Sequence, residues 1–136
     1  MPTVQSRKRP EYRNIHLTDL MSYRLPLAGL VSILHRISGA VMFLLLPLVL
    51  WLFDLSLRSP QGWDAAASVL ASWPLKIIAL GLFWALAHHL CAGIRHVAME
   101  VLHAVGKDQG RRAAAATLVV SLLMTAAFAV HLFTGA

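Results

Sequence analysis

A single cysteine, Cys91, is all the thiol this chain of 136 residues carries. It leaves no internal disulfide framework, no CxxC redox pair, no Cys-rich zinc site and no CxxCH covalent haem attachment. Charge is scarce as well: 13% of residues are charged, where an average soluble domain has ~25%, and 58% are apolar against ~45–50%. That balance excludes both an ordinary globular enzyme and a disordered chain, and marks a membrane protein. Acids are the scarcest charge, with 6 Asp+Glu facing 12 Lys+Arg. No basic stripe with interleaved aromatics accompanies this excess, so it reads as membrane topology and no nucleic-acid partner is expected. Internal repeats are absent, and the only low-complexity stretch is the alanine run at 113–116.

What the chain has in abundance is long apolar runs. Three of them exceed the ~20 residues needed to span a bilayer, at about 25–53, 75–102 and 113–133. The expected architecture is therefore all-α: a polar N-terminal segment, 1–24, followed by one transmembrane domain, 25–136, of three helices. The segments SLRSPQGWD, with Pro60 and Gly62, and VGKDQGRR, with Gly106 and Gly110, are expected to be turn regions between the spans. Arg7, Lys8, Arg9, Arg13 and Arg24 precede the first run, and Lys107, Arg111 and Arg112 lie between the second and third. Only Arg58 is basic between the first two, and no charge follows the third. The positive-inside rule then puts the N-terminus in the cytoplasm and the C-terminus on the opposite side. Tyr23, Trp51 and Trp73 fall near span ends, where amphipathic rings favour the headgroup region. The first 24 residues lack a signal peptide's apolar core, so the first span is expected to act as an uncleaved signal anchor in a bacterial inner membrane.

Polar residues inside the first two spans carry the chemistry. In SILHRISGA, Ser32 and Arg36 are four apart and share a helix face, with Gly39 and Ala40 continuing it and His35 about 100° round. A hydroxyl beside a guanidinium beneath small residues makes a recess rich in hydrogen-bond donors. The bland alternative is that Arg36 snorkels to the headgroups. In AHHLCAGIRHVAME, His89 is flanked on its own face by Ala85, Ala92 and Gly93, with His96 at i+7. Small neighbours leave room for a flat object, although they also suit close helix packing with a histidine bridging across.

Number weighs against simple glue. His35, Arg36, His88, His89, Arg95 and His96 are all potential cations, and Glu100 is the only acid near them in either span. Such a cluster calls for counter-charge from another subunit or from an anionic cofactor. Haem suits both recess and charge, its iron taking imidazole and its propionates taking Arg and His donors. A bis-histidine haem would draw its second ligand from another helix or another chain, and within this chain only His35 is at comparable depth.

The pair of segments SILHRISG and HLCAGIRHVAME, some fifty residues apart, resembles the two signature segments of the cytochrome b membrane-anchor subunits of succinate dehydrogenase, respiratory complex II. The approach RPEYRNIHLTDLMSYRLPLAGLV is similar too, so the likeness runs from about Arg9 into the third span. One departure is Glu100, where the family's segment usually ends in Asp. The resemblance implies that His89 is the axial ligand of a haem b shared with a second anchor subunit, and that Ser32 and Arg36 help form a ubiquinone site. It implies further that His35, Arg36, Arg95 and His96 surround the haem. The partners it implies are the second anchor subunit, an iron–sulfur subunit and a flavoprotein subunit carrying FAD, where succinate would be oxidised. Arg7 to Arg13 would then offer a docking surface for the soluble pair. Three rival readings stand beside this one: a fumarate reductase anchor, a haem-free transmembrane adaptor, and a proton channel lined by His88, His89 and His96.

Overall fold

The computed structural model describes Thr18 and residues 23–103 and 106–135. The N-terminal basic run Arg7 to Arg13 lies outside these residues. Four helices make up the described chain, with no strand among them: α1 (Leu27–Arg58), α2 (Pro60–Ala71), α3 (Trp73–Val101) and α4 (Lys107–Thr134). Helices α1, α3 and α4, of 32, 29 and 28 residues, are long and apolar enough to cross a membrane. The three-span all-helical architecture expected from the apolar runs is thus the one observed.

The two expected turn regions differ from that reading. Ser56 to Asp64 is helical except at Ser59, because Ser59 and Pro60 form a helix start. The Ser59 hydroxyl accepts the Gly62 N–H at 3.0 Å, and Pro60 occupies the first turn, where its missing N–H costs nothing. Arg58 pairs with Asp54 one turn back, its Nε 2.8 Å from Asp54 Oδ2, which keeps α1 wound to its last residue. Gly62 is required here: a Cβ at this position would stand 2.3 Å from the Leu55 carbonyl oxygen, so only glycine lets α2 fold back on the end of α1. At the second expected turn, helix α4 already begins at Lys107. Gln109 Oε1 accepts the Gly106 N–H at 3.2 Å, satisfying one donor at the helix start, and Gly110 is buried inside the helix facing Met99.

Helices α1, α3 and α4 each contact the other two, and α2 packs across one end against α1 and α3. Their shared interior is made of small groups: Val31, Ala92 and Ala114 form its apolar centre, flanked by Leu27, Ala28 and Leu118. Ser38, His88, Thr117 and Ser121 are buried among the helices. Large apolar residues point outward, Phe43 and Leu44 each 74% exposed. That distribution is expected in lipid, where helix pairs gain little from burying leucine and instead gain from close backbone approach and interhelical hydrogen bonds. The result for the site is that the α1–α3 and α3–α4 seams are lined by small and polar residues.

Candidate functional site

The α1–α3 seam holds the cluster that the sequence pointed to. His89 on α3 meets α1 at two atoms, its Nδ1 lying 3.1 Å from the His35 carbonyl oxygen and 3.3 Å from Ser38 Oγ. A carbonyl only accepts, so Nδ1 carries the proton. Ser38 spends its own proton on the same carbonyl at 2.8 Å, so its oxygen accepts from His89 as well. The three groups are mutually consistent and fix one tautomer. The Nε2 of His89 therefore keeps its lone pair. Both of the ring's hydrogen bonds among the described residues are made by Nδ1, and His89 is only half-buried.

Glycine makes this contact possible. A Cβ on Gly39 would stand 3.0 Å from His89 Cε1 and 3.3 Å from Nδ1, so the bare backbone of α1 lets the imidazole lie directly against it. The His35 ring stacks on His89 with centroids 4.1 Å apart and 29° between planes, and lies 5.4 Å from the His96 ring. His35 Nε2 is buried with no partner. His96 is exposed at the edge of the group.

Ser32 and Arg36 lie about two turns and one turn before Gly39 on α1. Arg36 is exposed and has no acid beside it among the described residues, while Ser32 is half-buried. Most hydroxyls on these helices bond to a carbonyl of their own helix, as Ser38, Ser56, Ser68 and Ser121 do. Ser32 alone among the described serines has no hydrogen-bond partner, so its hydroxyl is available to a ligand.

Arg95 is not brought into this group. Six residues after His89, it lies about 120° round α3 and faces α4. There it lines an open groove of about 470 Å³ between the two helices. His88 faces the same way, 0% exposed, with Nδ1 3.4 Å from Ser121 Oγ, the Trp84 ring stacked at 5.5 Å and the Val31 backbone on its α1 side. A further cavity of about 330 Å³ between α1 and α2 is lined almost wholly by apolar groups, Leu52, Phe53 and Trp63 among them, and offers no acid, base or ligand.

The residues present fit a haem on the α1–α3 side. A metal-ligating imidazole normally donates its other ring N–H to a carbonyl or carboxylate, and His89 does so. The orphaned His35 Nε2 and the unpaired Arg36 guanidinium are the donors that acidic side groups on such a macrocycle require. The sequence reading did not single out Ser38, and it placed Gly39 in the recess beside Ser32 and Arg36 rather than against His89. Their positions three and four residues after His35, one small and one hydroxylic, were the available signal.

A family model described as "Succinate dehydrogenase/Fumarate reductase transmembrane subunit" matches residues 7–135. The chain is 33% identical over 105 residues to the succinate dehydrogenase cytochrome b556 subunit of Paracoccus denitrificans, covering 77% of this chain and 81% of that protein. It is 34% identical over 107 residues to the protein of the same name in Coxiella burnetii, covering 77% and 85%. A Rickettsia typhi protein, again so named, is 30% identical over 94 residues, 69% of this chain and 68% of that one.

Proposed function

Given that this chain belongs to the succinate dehydrogenase/fumarate reductase transmembrane subunit family, we propose that it binds haem b through His89 and helps form a quinone-reduction site in a succinate:ubiquinone oxidoreductase. The observation that carries the reading is the tautomer lock on His89: Nδ1–H is held by the His35 carbonyl and Ser38, and Nε2 is left as the open ligand. The His35 and His89 rings, stacked at 4.1 Å, leave no gap for a macrocycle between them, so a second iron ligand would come from a second anchor subunit. His35 Nε2, Arg36 and His96 would supply the donors for the acidic groups of the haem. Haem, when bound, supplies one-electron redox capacity within the membrane.

Ubiquinone is the substrate at Ser32 and Arg36. The free hydroxyl of Ser32 orients one quinone carbonyl by donating to it. Arg36, already in place without an acid partner, stabilises the negative charge that grows on the quinone oxygen during reduction. Both act by position and charge rather than by covalent chemistry. The electrons arrive from a flavoprotein subunit holding FAD and from an iron–sulfur subunit docked on the cytoplasmic face. Residues 25–136 form the transmembrane domain after a cytoplasmic segment 1–24, with the C-terminus across a bacterial inner membrane. The positive-inside distribution supports that orientation.

The test is the reduced-minus-oxidised optical spectrum of the complex purified through this subunit, with its partner chains identified. A b-type band together with a flavoprotein and an iron–sulfur chain is expected; a pigment-free preparation without them would sink the proposal. For the quinone site, Arg36→Leu should lower quinone reduction by at least tenfold while succinate oxidation with a soluble acceptor persists. Equal loss of both activities would point to failed assembly instead.

A further inference from the structure

The α3–α4 seam carries a second polar site that the redox reading does not use. Arg95 lies in the groove between these helices, with its Nε and Nη1 buried and without any hydrogen-bond partner. No carboxylate among the described residues pairs with it, and a half-buried guanidinium in an apolar setting needs an anion. The shape of the groove identifies the kind of anion. It follows α3 from Cys91 to Leu102 and α4 from Gln109 to Val120, about 16 Å along each axis at ~1.5 Å per residue. Its walls are apolar and shallow, with Ala98, Ala113 and Ala116 clearing the space.

A carboxylate on a neighbouring side chain would need the cation and leave this trough unexplained. A lipid fills both parts. Arg95 lies six residues before the end of α3, about 9 Å along the axis, at the depth of the headgroup boundary. Gln109, whose Oε1 is occupied by the Gly106 N–H, keeps its NH2 as a second donor at the same end. Lys107, Arg111 and Arg112 are exposed around the start of α4 and, with Arg95, outnumber the acids at that end, Asp108 and Glu100, giving the mouth of the groove a positive potential. Basic pockets between membrane helices on the cytoplasmic side are the setting in which anionic headgroups bind.

We propose that the α3–α4 groove is a binding site for one acidic phospholipid, its phosphate held by Arg95 and Gln109 and an acyl chain lying along Ala98, Ala113 and Ala116. The site is separate from the His35–His89 group and stands whether or not that group holds haem. Arg95 on this reading is a lipid ligand rather than part of the haem surroundings.

The experiment compares the intact complex, purified in mild detergent, from wild type, Arg95→Leu and Ala116→Phe. The second variant fills the apolar trough and leaves the guanidinium in place, so it remains informative if the first does not assemble. Retained phospholipid is counted by native mass spectrometry, and melting temperature is recorded on adding phosphatidylglycerol or, separately, phosphatidylcholine. Wild type should retain one acidic phospholipid more than either variant and be stabilised by phosphatidylglycerol alone. The b-type absorption band, where present, should be unchanged in both variants. Equal acidic-lipid content and equal stabilisation in all three proteins would overturn the proposal. So would a wild-type complex without acidic lipid that ignores phosphatidylglycerol, a cross-link from this groove to a partner's carboxylate, or loss of the b-type band in Arg95→Leu with lipid content unchanged.

Discussion

His88 and His89 are successive residues on one helix, and they occupy opposite kinds of site. His88 faces α4, is 0% exposed, and meets Ser121, Trp84 and the Val31 backbone. His89 faces α1, is half-buried, and has one nitrogen fixed and the other open. The difference follows from the ~100° between neighbours on a helix, which sends two identical side chains into two different seams. Burial alone would have nominated His88 as the special residue. His88 also has an Nε2 without a partner, but that atom is sealed among the helices, whereas His89 combines an Nδ1–H fixed by a carbonyl, which can only accept, with an Nε2 on a half-buried ring that a ligand can reach.

The strongest way to break this comparison is to remove each ring in turn. On the proposed assignment, His89→Leu eliminates the b-type band of the purified complex. His88→Leu should retain it and lower the melting temperature, since interhelical hydrogen bonds in membranes are worth about 0.6 kcal/mol on average and up to ~1.7. Ser121 still donates to the Leu118 carbonyl in that variant, so no buried proton is orphaned and the loss stays small. Optical spectra and thermal melting of the two proteins decide the matter. A band that survives His89→Leu and vanishes in His88→Leu would reverse the two roles.

The spans and the identity of the histidine cluster were legible in the sequence because hydropathy and helical periodicity are properties of one chain. Ser32 and Arg36 on a shared face, and His88 set apart from His89, followed from the same arithmetic. The seams were not legible, since periodicity assigns residues to faces without saying which helix lies opposite. Arg95 was therefore grouped with the histidines by proximity in sequence, although it faces α4. The helix α2 was hidden for a different reason: Pro60 and Gly62 are turn formers in isolation, and only the Ser59 cap and the close approach to the Leu55 carbonyl turn them into a helix start. Ser38 was missed because its position three residues after His35 gives its face on α1 but not the His89 ring that lies opposite it.

A smaller intervention sharpens the contrast by loosening the lock without touching the ring. Ser38→Ala removes one of the two acceptors of the His89 Nδ1–H and leaves the His35 carbonyl in place. Outer partners of metal-ligating histidines are typically worth 10–100-fold in affinity, and with one acceptor retained a loss of about tenfold or less is expected. Haem per complex, read optically against protein, measures it. The corresponding change on the other seam, Ser121→Ala, should leave haem content unchanged.

The smallest expected effect comes from adding one methyl group beside the ring. In Gly39→Ala the new Cβ would lie 3.0 Å from His89 Cε1 and 3.3 Å from Nδ1, so the imidazole must give by a few tenths of an ångström while its hydrogen bonds to α1 persist. The complex should assemble and keep its b-type band, with the band position or the haem potential displaced. Gly93→Ala is the matched control on α3: its Cβ would meet His35 Nε2 at 3.8 Å, an ordinary contact that requires no movement. If the two variants gave identical spectra, the close approach of His89 to α1 would have no part in orienting the ligand. A shift confined to Gly39→Ala would instead show that the glycine on α1 sets the ring's orientation as much as the hydrogen bonds do.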